Sequence, residues 1–565
     1  MHNPTDRVRA AYRRIAEADR PEVWITLRPE HDVETEAKAL EERLATGEAL
    51  PLAGLLVAVK DNIDVAGLPT TAAHPAFART PVESAPAVRR LVAAGALVLG
   101  KTNLDQFATG LVGTRSPYGA VRGAAHPERI SGGSSAGSAV AVALGVADFS
   151  LGTDTAGSGR VPAALNGIVG LKPTLGLVPA SGVVPAARPY DCVTVFARDL
   201  ATAREALTVM SGPADDDPYS RPVPADVRLA PRGAGRVAVP TPAGLEPLSE
   251  AERAAFATVV TDLAAAGAEV AEVDVAPLLE AARLLYDGAL VAERYAAVGD
   301  FLKGHPEGAD PTVSGIVLAA ETVPAHRLAA DQQRLAAYRT TAAGILDGFD
   351  ALLLPTTVGH PTLAEVAADP VAVNSRLGTY TNFVNLLDLA AVAVPAGEVE
   401  GRPFGVSLIS RAFEDQVALD LAGALVGRDP GELHPGAGVE LAVFGAHLRG
   451  QPLHHQLTGP GARFVEATAT APEYRMVALP TTPPKPGLFR VESDGTALAC
   501  EVWRLSPAAL GAFLAALPAP MSLGAVTLAD GRTVVGFGCE AVAAEGAEDI
   551  SAHGGWLAYR AATGS

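Results

Sequence analysis

Residues 130–163 read ISGGSSAGSAVAVALGVADFSLGTDTAGSGRVPA, in which two Gly/Ser-rich segments flank short apolar runs. Glycine lets the backbone take conformations closed to other residues, so both segments are expected to be tight turns that present hydroxyl groups. Ser134 lies in the first segment, and Ser158 lies 24 residues later in the second. Lys60 ends an earlier apolar run, GLLVAVK, which predicts a position at the end of a buried strand.

The same alternation extends over most of the chain. From Gly54 to about Gly427, apolar runs such as GRVAVP, ALLLPTT and AAVAVPAG alternate with Ala-rich helical patterns. This order predicts an α/β fold in which helices cover both faces of a mixed sheet. Residues 5–47 are amphipathic with a helical period, which predicts an outer wrapping element.

A chain of 565 residues is too long for one ordinary core, so more than one domain is expected. The stretch GRDPGELHPGAG at residues 427–438 has the composition of a linker. The short alternating runs that follow, such as RMVALP and RTVVGFGCE, predict a small sheet-rich module. We therefore predict one domain over residues 1–435 and a second over residues 436–565.

Composition argues against several classes of partner. A net charge of −19 opposes binding to nucleic acid or to an anionic membrane, so a small molecule is the expected partner. The most apolar stretch, residues 139–147, is far shorter than the ~20 residues that span a bilayer. The three cysteines, Cys192, Cys500 and Cys539, form no CxxC pair, so neither a metal nor another cofactor is expected. A polar N-terminus without an apolar core predicts a cytoplasmic location.

Two short motifs point elsewhere. Residues 95–102, GALVLGKT, satisfy the P-loop pattern, but the residues between the glycines are apolar strand formers. Residues 133–137, GSSAG, satisfy the nucleophile-elbow pattern around Ser135, but a polar segment precedes them where a strand is needed. We therefore expect neither a nucleotide site nor an elbow.

Lys60, Ser134 and Ser158 each have an ordinary structural explanation when taken alone, as a strand-end lysine and as two turn serines. Together they resemble the amidase signature family. Residues 130–163 are similar to its Gly/Ser-rich signature, VAVKDNIDVAGLPTT matches the segment around its lysine, and the resemblance covers roughly residues 50 to 400. It implies that Ser158 is the nucleophile, that Ser134, typically after a cis peptide bond, is the relay, and that Lys60 is the base.

The resemblance also implies an oxyanion hole made by the backbone amides of Thr155, Ala156, Gly157 and Ser158. Two positions depart from the family pattern. Ala156 stands where glycine is usual, and Gly159 stands where a bulkier residue often follows the nucleophile. Neither change removes a catalytic group.

The order of the two parts resembles the allophanate hydrolase group of this family, whose C-terminal domain is similar to the α+β gamma-glutamylcyclotransferase-like fold. The implied reaction is hydrolysis of allophanate, a small anionic amide, to ammonia and carbon dioxide in urea degradation. Tyr286 and Arg294 match the pair that recognises the substrate, and their spacing predicts one broad face of a helix. In the C-terminal part His455, beside His454, is the candidate for a later step, although both could belong to a loop.

Several alternatives stay open at this stage. The triad indicates a reaction type rather than a substrate, so the protein could hydrolyse another small amide. A component of an amidotransferase that works on charged tRNA is a further alternative, which the net charge disfavours. A catalytically silent scaffold is disfavoured because Lys60, Ser134 and Ser158 are all present. A homodimer is common among relatives.

Overall fold

The structure, a computed structural model, describes residues 3–434 and 436–564. Its contacts divide the chain into a larger unit, Met1–Val223 with Gly235–Leu433, and a smaller unit, Pro224–Ala234 with His434–Ser565. Pro435, where the predicted boundary falls, lies outside the described residues. The predicted division assigned residues 224–234 to the first domain, whereas this segment groups with the smaller unit. The reason is local pairing, since the amide of Leu229 donates to the carbonyl of Gly461 at 3.0 Å.

The larger unit is built on one mixed sheet, which in the described residues has eleven strands. They are β1 (Trp24–Leu27), β2 (Leu56–Lys60), β3 (Leu97–Thr102), β4 (Phe149–Asp154), β5 (Val169–Lys172), β6 (Cys192–Ala197), β7 (Arg236–Pro240), β8 (Glu269–Val273), β9 (Ala351–Pro355), β10 (Leu389–Val399) and β11 (Arg402–Arg411). Their order across the sheet is β1-β3-β2-β4-β6-β5-β10-β11-β9-β7-β8. The predicted mixed α/β sheet is confirmed, and residues 95–102 supply a strand rather than a phosphate-binding turn.

Helices cover both faces of this sheet. They are α1 (Pro4–Ala18), α2 (Glu30–Ala45), α3 (Pro86–Ala93), α4 (Ala136–Ala143), α5 (Val161–Leu165), α6 (Leu200–Met210), α7 (Glu250–Ala265), α8 (Ala276–Arg283), α9 (Ala292–Gly304), α10 (Pro311–Ala319), α11 (Ala325–Ile345), α12 (Leu363–Ala368), α13 (Ala372–Leu377), α14 (Asn382–Leu386) and α15 (Asp415–Val426). Strand side chains alternate between two cores: Val57 of β2 packs in one, and its neighbours Leu56 and Ala58 pack in the other.

The outer element predicted over residues 5–47 is not helical throughout. Helices α1 and α2 flank the strand β1, which pairs antiparallel with β3. The helices bury Val8 and Val33 against the same core as Leu56. A four-residue strand rich in aromatic and β-branched residues was too short to register against the helical period on either side.

The smaller unit consists of two sheets and short helices. Its strands are β12 (Val439–Val443), β13 (Arg463–Ala469), β14 (Tyr474–Leu479), β15 (Lys485–Arg490), β16 (Ala499–Leu505), β17 (Met521–Thr527), β18 (Thr533–Cys539) and β19 (Glu548–Asp549). Its helices are α16 (His455–Thr458), α17 (Pro507–Ala515), α18 (Ala541–Ala544) and α19 (Trp556–Thr563). The sheets have the orders β13-β16-β12-β18-β17 and β15-β14-β19. Trp503 and Trp556 lie in its core, and the predicted sheet-rich α+β module is confirmed.

Among the described residues, no helix has both the length and the apolar character that a membrane span requires.

The contact between β1 and β3 depends on a glycine. A Cβ at Gly100 would overlap the carbonyl oxygen of Thr26, which is a backbone atom of β1 and cannot turn away. This close approach holds the N-terminal strand against the edge of the sheet, next to β2 and Lys60.

We predict that Gly100→Ala lowers the free energy of unfolding by about 1–3 kcal/mol, because the added methyl must push two backbones apart. Thermal unfolding followed by circular dichroism measures the change. Gly304→Ala is the matched control, since no atom lies within 4 Å of a Cβ built there, and it should leave the melting temperature unchanged or slightly higher. Equal melting temperatures for the two variants would contradict this role of Gly100.

Candidate active site

Lys60 lies at the end of β2 and is completely buried, as its position in the sequence predicted. Its Nζ atom donates to Ser134 Oγ at 2.7 Å and to Thr153 Oγ1, on the neighbouring strand β4, also at 2.7 Å. In the described part of the chain no carboxylate lies within ion-pair distance of Lys60. The lysine is therefore held by hydroxyl groups rather than by an opposite charge.

This environment changes the acidity of the lysine. Burial lowers the pKa of Lys60 to about 7, and the more distant carboxylates of Asp105, Asp154 and Asp191 only partly oppose the shift. Desolvation disfavours the charged form of a buried amine, which is the cause that dominates here. A substantial share of Lys60 is thus neutral at pH 7 and able to accept a proton.

Ser134 follows a cis Gly133–Ser134 peptide bond, as the family resemblance implied, and precedes α4. Its side chain is fully buried, and its carbonyl oxygen accepts from the amide of Asp105 at 3.1 Å. The carboxylate of Asp105 accepts in turn from three backbone amides at 3.0 to 3.1 Å, those of Val112, Gly113 and Arg115. Asp105 therefore fixes both the relay serine and the loop that follows it.

Ser158 lies in the turn between β4 and α5 and is 3% exposed. Its Oγ atom makes a long hydrogen bond of 3.5 Å to the carbonyl oxygen of Gly110. No hydrogen bond joins the Ser158 and Ser134 hydroxyls within the described residues, so the direct link is between Lys60 and Ser134. Gly110 packs against Asp105, the residue that binds Ser134, so the same carboxylate braces the surroundings of both serines.

The turn that bears Ser158 is braced by Asp154 at the end of β4. Its carboxylate accepts from the amides of Gly157 and Gly159 at 2.8 and 2.9 Å, and it pairs with the buried guanidinium of Arg160 at 2.9 Å. Burial alone would raise the pKa of Asp154, but the charge and hydrogen bonds of Arg160 hold it below its ordinary value. Asp154 thus stays ionised.

This bracing revises the expected oxyanion hole. The amide of Gly157 is engaged by Asp154 and is not available in this conformation, contrary to the prediction. The amides of Thr155, Ala156 and Ser158 donate to no acceptor in the ranges 3–434 and 436–564. A Cβ at Gly157, where φ is 128°, would also overlap Thr381, so only glycine fits this position.

Arg294 lies on α9 and is 2% exposed. Its Nη2 atom donates to Tyr286 Oη at 2.9 Å, and its guanidinium carbon lies 4.9 Å from the centre of the Tyr286 ring. The predicted single helix is wrong: α8 ends at Arg283, and Tyr286 lies in the turn that precedes α9. The pair meets because the chain turns, not because of helical spacing.

The guanidinium of Arg294 has no acidic partner among the described residues, and its Nε atom is buried without a hydrogen bond. Its second anchor is Thr109, whose Oγ1 accepts from Nη1 at 3.0 Å. The next residue, Gly110, accepts from Ser158, so one peptide unit joins the arginine to the serine. A cavity of about 240 Å³ lies alongside, lined in part by Tyr286 and Arg115.

Sequence reasoning missed Thr109, Thr153 and both buried aspartates, Asp105 and Asp154. The two aspartates lie in LDQFATG and LGTDTAG, directly after apolar strands, and that position was a usable signal. Thr109 and Thr153 carried no comparable signal, because threonine is common in strands and turns.

The smaller unit presents a different arrangement from the one expected. His455 is exposed, and its Nδ1 atom lies 3.0 Å from the carbonyl oxygen of Pro452. A cavity of about 480 Å³ in this unit is lined by His447, Gln456 and Lys485, among others, but not by His455. His447 lies 2.9 Å from Gln456 Oε1, and burial lowers its pKa below the ordinary value.

Comparison with known proteins agrees with this division. Residues 6–419 match the Amidase family, and residues 439–561 match the Allophanate hydrolase C-terminal domain. Urea amidolyase of Saccharomyces cerevisiae is 43% identical over 95% of this chain, but the match covers only 31% of that protein. The chain therefore spans about a third of the length of this curated relative.

Solved structures give a match over nearly the whole length. Allophanate hydrolase of Kluyveromyces lactis superposes with a TM-score of 0.88 at 41% identity, covering 99% of this chain and 97% of that one. A glutamyl-tRNA(Gln) amidotransferase protein of Symbiobacterium thermophilum is 36% identical over 74% of this chain and 91% of its own length. With an amidase match over most of its length, the chain belongs to the amidase family, and a C-terminal domain of the allophanate hydrolase type follows its amidase domain.

Proposed function

We propose that this protein hydrolyses allophanate, urea-1-carboxylate, in its amidase domain. The observation that supports this most is the buried guanidinium of Arg294, which has hydroxyl partners but no carboxylate among the described residues. A buried unpaired charge is costly unless an opposite charge occupies the site. A small substrate with its own carboxylate would supply that charge, one peptide unit away from Ser158.

The chemistry begins with Ser158. Its hydroxyl turns from Gly110 toward Ser134 and gives up its proton, while Ser134 passes its own proton to neutral Lys60. The freed oxygen bonds to the carbonyl carbon of the terminal amide, and the oxyanion that forms accepts from the amides of Thr155, Ala156 and Ser158. Lys60 then returns a proton through Ser134 to the amide nitrogen, the C–N bond breaks, and ammonia leaves an acyl-enzyme on Ser158.

Water completes the cycle. Lys60, again acting through Ser134, accepts a proton from the water whose oxygen attacks the acyl carbon. The ester bond to Ser158 breaks, and the serine oxygen takes up a proton. The product is an imide with two carboxylates, which decomposes to carbon dioxide and a second ammonia. The base must be neutral at the start of each half-reaction, and the pKa of Lys60 near 7 provides this.

The alternatives fit less well. A component of a tRNA-dependent amidotransferase is similar to the amidase part of this chain, but the match to an allophanate hydrolase C-terminal domain favours allophanate. A general amidase for neutral substrates would leave the charge of Arg294 uncompensated. The small cavity beside Tyr286 also favours a small substrate over a macromolecule. A cytoplasmic location and a homodimer stay predictions.

We propose that the C-terminal domain acts on the product with two carboxylates. Its cavity combines the neutral imidazole of His447 with the side chain of Lys485, a cation suited to an anionic ligand. This favours His447 over His455 as the residue that contacts the product, and the role of His455 stays a prediction.

We expect purified protein to release ammonia from allophanate, and Ser158→Ala to lower kcat by about 10³-fold or more because the nucleophile is gone. Ammonia release measures the rate, and a fluorophosphonate should label the wild type but not the variant. Ser493→Ala, on an exposed loop of the smaller unit, controls for handling. Equal rates for wild type and Ser158→Ala would rule out this nucleophile.

We expect kcat/KM for allophanate to rise with pH, with a midpoint at about 7, and then to level off. Lowering the pH through the pKa of Lys60 protonates the base, and the protonated amine cannot accept the proton of Ser134. The rate of fluorophosphonate labelling of Ser158 should follow the same curve, which separates the base from effects on substrate binding. A profile that is flat between about pH 6 and about pH 8 would contradict a neutral Lys60.

We expect Arg294→Met to lower kcat/KM for allophanate by roughly 10- to 100-fold, the loss typical of a hydrogen bond to a charged group. Biuret, in which an amide replaces the carboxylate of allophanate, is the matched neutral substrate. Its kcat/KM should change much less, because Arg294 has no charge to recognise there. A loss of equal size for both substrates would indicate a structural role for Arg294 instead.

A further inference from the structure

We infer that Thr109 determines substrate specificity by holding Arg294 with a neutral hydroxyl, so that the charge of the arginine stays available to an anionic substrate. Thr109 is thus a positioning residue for the carboxylate. This inference rests on the proposed function, because it names the residue that tunes recognition at the same site.

The hydroxyl of Thr109 is fully committed. Its proton is donated to the carbonyl oxygen of Phe107 at 3.2 Å, and its lone pair accepts from Arg294 Nη1 at 3.0 Å. A hydroxyl has a single proton to donate, so the bond to Phe107 forces the lone pairs toward the arginine. Thr109 is 1% exposed, and water does not compete for either bond.

The backbone around Thr109 is held in a demanding conformation. Phe107 and Ala108 have φ values of 49° and 53°, in the left-handed region that residues with a Cβ rarely adopt. Such a geometry persists where neighbouring contacts over-determine it. The amide of Phe107 donates to Ala72 O at 2.9 Å, and Arg115 Nη1 donates to the carbonyl oxygen of Thr109 at 3.0 Å.

The loop is also tied to the segment that follows α9. The side-chain amide of Gln106 donates to Gly308 O at 2.9 Å, and its oxygen accepts from the amide of Asp310 at 2.8 Å. Arg294 is on α9, so the helix and the Thr109 loop are joined at two separate points. Thr109 can therefore fix the arginine relative to Gly110 and Ser158.

The neutrality of this anchor matters as much as its position. Tyr286 and Thr109 each occupy one Nη atom of Arg294, while Nε is left without a partner among the described residues. A carboxylate in place of Thr109 would pair with the arginine and cancel the charge that attracts the substrate. The choice of threonine would thus favour anionic over neutral amides.

The test compares wild type with Thr109→Ser, Thr109→Val and Thr109→Asp, using allophanate and its neutral analogue biuret. Thr109→Val should raise KM for allophanate about ten-fold or more with a smaller change in kcat, and should affect biuret much less. Thr109→Ser keeps the hydroxyl and should restore the wild-type KM. Thr109→Asp should reverse the preference, so that biuret becomes the better substrate.

A second readout does not depend on turnover. Oxamate, a small carboxylate, should slow fluorophosphonate labelling of Ser158 in wild type and Thr109→Ser, and about ten times more should be needed in Thr109→Val. The labelling rate without oxamate verifies that each variant is folded.

The outcomes separate the two proposals. Wild type that ignores allophanate but is protected by oxamate in a Thr109-dependent manner refutes the proposed substrate and supports the role of Thr109. Wild type that hydrolyses allophanate while Thr109→Val loses both substrates equally, or keeps its oxamate protection, refutes the role of Thr109 alone.

Discussion

The burial of one amine is the constraint on which the rest of the site depends. The ammonium form of Lys60 has no water and no carboxylate within ion-pair distance among the described residues, so burial lowers its pKa to about 7. A carboxylate in contact would stabilise the charged form and remove the base. The strand β2 places Lys60 inside the sheet, and the turn at Ser134 supplies the hydroxyl that accepts from it at 2.7 Å. A serine–lysine mechanism needs this dry environment.

The larger unit treats its buried charges in two ways. Lys101 pairs with Asp61 at 3.2 Å, and Arg160 pairs with Asp154 at 2.9 Å, and these ion pairs brace the turns around the site. Lys60 and Arg294 are equally buried but bind hydroxyl groups instead. The paired cations are neutralised and structural, whereas the unpaired ones stay available, Lys60 for a proton and Arg294 for an anion. The same residue types thus serve different purposes according to their partners.

The sequence predicted the parts of this arrangement that depend on local pattern. An apolar run ending at Lys60 predicted a buried strand, and the Gly/Ser segments predicted the turns at Ser134 and Ser158. Contacts between distant segments left no such trace: the amide of Gly157 is engaged by Asp154, and Thr109 meets Arg294 across 185 residues. Tyr286 was assigned to the right neighbour for the wrong reason, because eight residues fit two helical turns as well as a bend.

The account depends on Lys60 being neutral near pH 7, and the most direct measurement is the titration of that amine. The chain has six lysines, so the side-chain signals of isotope-labelled lysine can be followed by NMR and Lys60 assigned by its loss in Lys60→Met. The account predicts a Lys60 signal that titrates at about pH 7, whereas Lys303, whose pKa is raised by its contact with Glu321, stays protonated there. A Lys60 signal that stays protonated up to about pH 10 would contradict it.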